Sequence, residues 1–161
     1  MFTAGAATGG EERRLAVLPL RVEGQADEAT RREWTAGLRR GVARGEAPVV
    51  DQAQVDKLGD PVCDRKTCWD KVRKATRATH LVRTSVTIKN RDYAIKLELV
   101  DAEDGAVIVS TEDRCEICGV EEVSNLLDSQ GALLQARMAS MGKGPPVLVI
   151  DTRPSGALVY V

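Results

Sequence analysis

From His80 to Asp113 the chain alternates apolar and polar residues three times over, and little else in it restricts the fold so tightly. His80–Lys89 sets Val82, Val86 and Ile88 against Arg83, Ser85 and Thr87; Asp92–Val100 sets Tyr93, Ile95, Leu97 and Leu99 against Lys96 and Glu98. Ala106–Asp113 follows with Val107, Val109 and Thr111 on one face. A period of two is the signature of a strand with one face buried. Asn90 and Arg91 make a tight turn between the first two runs, and Asp101–Gly105 (DAEDG) makes a second that ends on glycine. Links this short require neighbouring strands to run antiparallel, so the three form a meander with an apolar side that must be covered.

The flanking segments supply the cover. Leu15–Leu20 (LAVLPL) is a continuous apolar run too short for a helix, as expected of a central strand covered on both faces. Asp27–Arg44 has helical period, with Trp34, Leu38 and Val42 on one stripe, Arg31, Arg39 and Arg40 off it, and Asp27 placed as the cap. Ala47–Asp51 reads as a brief strand and Gln52–Leu58 as a short helix that stops at Gly59 and Pro61. Thr67–Ala78 carries Trp69, Val72 and Thr76 on one stripe. A long last helix runs to Ala139 through Val120, Val123, Leu127, Leu134 and Met138, with Glu121 and Glu122 where the helix dipole favours acids. The order is β-α-β-α-α-β-β-β-α: an α/β fold with helices packed on one mixed sheet.

At either end the composition changes. Residues 1–13 are small, Gly- and Ala-rich and then charged, which reads as a flexible segment of the kind left behind a removed signal or lipid anchor. The α/β domain is expected over 14–140, a linker over 141–146, and a truncated β fragment over 147–161. No run approaches the roughly twenty apolar residues of a membrane helix. Acids and bases are interspersed at a net charge of −1, and five aromatic residues make no stacking platform, so nucleic acid is not an expected partner.

The tail, DTRPSGALVYV, resembles the start of a PEGA domain, a small envelope β-sandwich in which Pro-Ser-Gly-Ala precedes an apolar strand. The Asp-Gly and Gly-x-Thr-Pro of that family would fall beyond Val161. From LAVLPL to the long helix, the body is similar to the amino-terminal domain of TolB and to modules of envelope lipoproteins and flagellar outer-ring proteins. The opening strand with its proline, the VVD at 49–51, the meander and the VDAEDG turn at 100–105 carry that likeness. It implies a periplasmic, membrane-anchored module that binds another envelope protein, with strand addition at an open sheet edge as one mode and any membrane contact made through a tether outside this sequence.

Cys63, Cys68, Cys115 and Cys118 are all the cysteines there are, spaced C-x4-C and C-x2-C. Zinc would take all four as thiolates at one point. Thiol redox chemistry would use Cys115–Cys118, which follows a strand and precedes a helix, but the acids around it (Glu112, Asp113, Glu116, Glu121, Glu122) raise a thiol pKa. The preferred reading is two local disulfides, Cys63–Cys68 and Cys115–Cys118, which suits an oxidising compartment, with the crossed pairings as alternatives. His80, the one histidine, reads as a strand-end residue, and Asp51, Asp56 and Asp60 as turn or cap residues. No phosphate loop, nucleophile elbow or His-Glu zinc motif occurs. The expectation is a non-enzymatic scaffolding module without cofactor or metal. Alternatives are a small-ligand sensor domain of a larger receptor or kinase, and a zinc or thiol-redox protein.

Overall fold

Residues 12–58 and 63–141 are described by the computed structural model of the chain. The two long strands β3 (His80–Lys89) and β4 (Asp92–Asp101) pair antiparallel along their whole length, from His80 opposite Asp101 to Lys89 opposite Asp92. β5 (Val107–Cys115) continues the meander on the far side of β4. Asn90 and Gly105 take positive φ values of 58° and 74° in the two turns, the conformation that lets so few residues reverse the chain.

On the other side of β3 lie two short parallel strands, β1 (Leu15–Val17) and β2 (Arg21–Glu23). Leu15–Leu20 does not make one central strand: the pairing breaks at Leu18–Leu20, around Pro19, and resumes at Arg21. β1 also lies at the flank of the β1-β3-β4-β5 order, and beyond it the expected Ala47–Asp51 strand is reduced to a single bridge, Leu15 to Val49. That segment has no length to pair further, because the Asp51 carboxylate accepts the Ala53 N–H at 3.1 Å and starts α2 (Gln52–Asp56) at once.

Helices cover both faces. α1 (Glu28–Val42) and α4 (Val120–Met141) lie on one, where Trp34, Leu38, Val42, Val123, Leu127 and Leu134 close over Val82, Val86, Ile95, Leu97 and Leu99. α2 and α3 (Lys66–Thr76) cover part of the other, over Ala16, Leu18, Leu81 and Val100. Asp27 caps α1 as its position predicts, its carboxylate accepting the Thr30 N–H at 2.7 Å. Val107 departs from its expected face: a register shift pairs Val109 with Leu99 but Val107 with Val100, so the extra residue Ile108 turns Val107 over and leaves it 47% exposed. Val120, at the start of α4, is exposed as well.

The α1–α4 contact is closer than ordinary side chains permit. Gly37 and Gly41 on α1, with Gly45 just beyond, form a stripe with a period of four that brings the backbone against α4; a Cβ at Gly37 would stand 2.5 Å from the Ser124 carbonyl. From the other side, a Cβ at Gly131 would lie 2.8 Å from the Leu38 carbonyl. At the rim Asp128 receives Arg44 at 2.5 Å and Arg40 at 3.5 Å.

Residues 1–11 of the amino-terminal segment, the linker beyond Met141, the 147–161 fragment and Asp60 lie outside the described residues.

Candidate functional site

α2 and α3 stop short of the hairpin end of the sheet, so among the described residues no helix covers the second face there. Strand alternation directs Arg21 and Glu23 of β2, Arg83, Ser85 and Thr87 of β3, and Lys96 and Glu98 of β4 onto it, while their apolar neighbours Val22, Val82, Val86, Ile95 and Leu97 go to the α1–α4 side. Register then sets opposite charges side by side. Arg83 is opposite Glu98 and Lys96 is opposite Glu112. Arg83 Nε donates to Glu98 at 2.8 Å, Lys96 Nζ reaches the other Glu98 oxygen at 3.1 Å, and Arg21 meets Glu23 at 3.4 Å. Burial pushes the Glu98 carboxyl up, but the hydrogen bonds and charges of Arg83 and Lys96 outweigh it and hold the group below its ordinary value. Glu98 is therefore a fixed anion between two cations, and the face presents an ordered lattice of both signs.

The Cys63–Cys68 pair borders this face, whereas the Cys115–Cys118 pair packs against the α1–α4 cluster at the hairpin end of the sheet. Cys63 and Cys68 are at disulfide distance, with Cα atoms 5.4 Å apart, and so are Cys115 and Cys118, at 5.9 Å. Cys63 and Asp64 wall a small cleft with Arg21, Arg83, Lys96 and Glu98. At the other end Cys115 lines a cleft with Thr87, Ala94 and Arg114. Cys68 lies inside the first turn of α3, which begins one residue earlier than the sequence suggests. Trp69 fastens this corner, its Nε1–H donating to the Cys63 carbonyl at 3.0 Å and its ring lying against Gly105, where no side chain fits. Cys63 is packed in the α2–α3 cluster and Cys118 in the α1–α4 cluster, on opposite sides of the sheet. The four sulfurs therefore do not converge as one tetrahedral set.

His80 opens β3, as its position suggests, with Nδ1 2.8 Å from the Thr79 hydroxyl. Burial lowers its pKa, Asp101 opposes that, and Arg13 adds to it. Asp51 caps α2, and Asp56 accepts from Gln52 at 2.9 Å. Between α2 and α3 a groove of about 470 Å³ has Leu18, Val55, Leu58 and Val72 at its floor, the place a sensor domain would hold a small apolar ligand. The cysteines stand out in the sequence, but the charged lattice does not: its only signal is the residues that alternate with the apolar ones, and alone these mark just the solvent side of each strand.

The edges of the sheet differ in how open they are. On β5 the Ser110 carbonyl accepts from Arg137 at 3.3 Å and the Arg114 N–H donates to the Asp113 carboxylate at 2.8 Å. Side chains thus occupy outward backbone groups that an added strand would need.

This is a mixed α/β sandwich, and solved bacterial structures share it. The LpoB C-terminal domain of Salmonella enterica matches with a TM-score of 0.52 at 16% identity, over 69% of this chain and 87% of its own. The PelC dodecamer of Paraburkholderia phytofirmans gives 0.54 at 15%, over 80% and 91%, and the lipoprotein GNA1162 of Neisseria meningitidis 0.53 at 17%, over 81% and 97%. At such identities the likeness establishes the fold and nothing more. A TolB structure aligns at a TM-score of 0.47, too low to carry any argument. No protein-family model and no curated protein matches the chain.

Proposed function

We propose that this chain is a non-catalytic interaction domain of the bacterial cell envelope that binds another envelope protein through its open sheet face. The observation that carries the proposal is the lattice of Arg83, Glu98, Lys96 and Glu112, ordered by strand register and, among the described residues, not covered by a helix. A polar face held in fixed geometry offers a partner matched charges at little ordering cost. An envelope location is supported by the shared fold, since GNA1162 is a lipoprotein and LpoB and PelC are bacterial proteins of the same architecture. Two cysteine pairs at disulfide distance suit an oxidising compartment. Strand addition is the less favoured mode at β5, where Arg137 and Asp113 occupy the edge.

The test is a photo-crosslinking residue at Ser85, in the middle of the open face, compared with one at Arg32 on the outer side of α1, both in living cells. A single discrete adduct from position 85 and none from 32 is the expected result. Equal labelling from both positions, or none from either, would count against the open face as the binding surface.

A further inference from the structure

At the opposite end of the sheet, where β3 begins and β4 ends, lies a cleft of about 830 Å³ that none of the features above uses. Arg13, Arg73, Arg77, Thr79, His80 and Asp101 line it. We propose that this cleft binds a single phosphate group. Three arginines line one concavity, and the planar fork of arginine matches phosphate oxygens in pairs. They are not consumed by the fold. Arg13 spends Nη1 on the Met138 carbonyl at 2.8 Å, which anchors the side chain and leaves its other N–H groups. Arg73 approaches a carboxylate only at 3.7 Å, that of Asp70, and among the described residues neither Arg13 nor Arg77 forms an ion pair. With Nδ1 of His80 engaged by Thr79, Nε2 is the ring atom left for a ligand.

Arg77 adds an independent observation. It caps α3 in the left-handed conformation, φ 57°, a position that glycine fills without strain. Complementing the carbonyl end of the helix does not require arginine there, because Arg73 and Lys74 already stand in the last turn. A strained cap that carries a cation into a cleft is better explained by what the cation meets. Asp101 and Glu103 also line the cleft, and the Asp101 carboxylate is occupied by the Glu103 N–H at 2.7 Å. Three cations against two carboxylates leave one net positive charge, which suits one compact phosphate group and not a polyanion.

The phosphate can be free or carried on a lipid headgroup, and the experiment separates the two. The folded protein is titrated with inorganic phosphate at constant ionic strength while the amide resonances of Thr79–Leu81 are followed. Cosedimentation with phosphatidylglycerol and with phosphatidylcholine vesicles is measured alongside. The discriminating variant is Arg77→Gly, which keeps the left-handed cap and removes only the side chain. Saturable shifts, or binding to phosphatidylglycerol alone, are expected for the native protein, weakened about tenfold in the variant, with a Tm equal to or above the native one. The first response identifies free phosphate and the second a headgroup. No saturable response in either arm, or equal binding by Arg77→Gly, would overturn the proposal.

Discussion

A methyl group at position 41 would overlap the carbonyl oxygen of Asp128. On an exposed helix the change from glycine to alanine stabilises by about 1 kcal/mol; here it would force two backbones apart. Gly41→Ala is expected to cost roughly 3 kcal/mol by urea denaturation. Gly119→Ala, whose Cβ would meet only the Glu122 carboxylate at 3.5 Å, should change stability by no more than about 0.5 kcal/mol. The cysteines give a second test at this scale. Protein made in an oxidising compartment should have an intact mass four protons below the reduced chain, with no thiol labelled until reductant is added. Cys63→Ser with Cys68→Ser should lower stability by at most about 2–3 kcal/mol and leave the fold, because so small a loop removes little chain entropy. Retention of all four thiols would show that the pairs are not disulfides. The glycine stripe was visible in the sequence as Gly37, Gly41 and Gly45, but spacing alone does not say what a bare patch of helix backbone will meet.

Elements with a strong period were legible, and those set by context were not. The meander and the stripes of α1, α3 and α4 follow from period two and period 3.6, and the structure bears them out to within a few residues. The break at Pro19, the loss of the Ala47–Asp51 strand and the inversion of Val107 are decisions taken between elements, where a short run has too few pairs to keep its own register. β5 supplies the prediction for this scale. Removing the side chains that cap its edge, with Asp113→Ala and Arg137→Ala together, should produce concentration-dependent self-association in sedimentation velocity while the native chain is unchanged over the same range. A double variant that sediments like the native protein would show that those contacts do not guard the edge.

For the molecule as a whole, the titrating groups with a resolved shift all make it less stable in acid. Native His80 resists protonation, whereas the unfolded chain takes up that proton near 6.5. Its share of stability is therefore complete above that value and falls as pH drops through it, levelling off once the native histidine also protonates. Asp27, held down by the Thr30 N–H, and Glu98 act with the same sign below their ordinary values of 3.8 and 4.5. Thermal melts from pH 8 to 5 should show a falling Tm, and His80→Gln should flatten the upper part of that profile; an unchanged slope would mean that His80 is not the group responsible. The candidate face was legible only as a list of polar strand residues. It became a surface once the helices were placed, because which half of a sheet stays bare depends on where α2 and α3 stop.

The Arg13–Met138 contact has a mechanical consequence. It joins the start of the described chain to its last helix, so the backbone enters and leaves the domain at one place. Such a domain hangs from its chain like a bead on a loop, adding bulk but almost no reach. Under tension, load would fall first on that hydrogen bond and on the three-residue pairing of β1 with β3, while the β3–β5 meander and its charged face stayed out of the line of force.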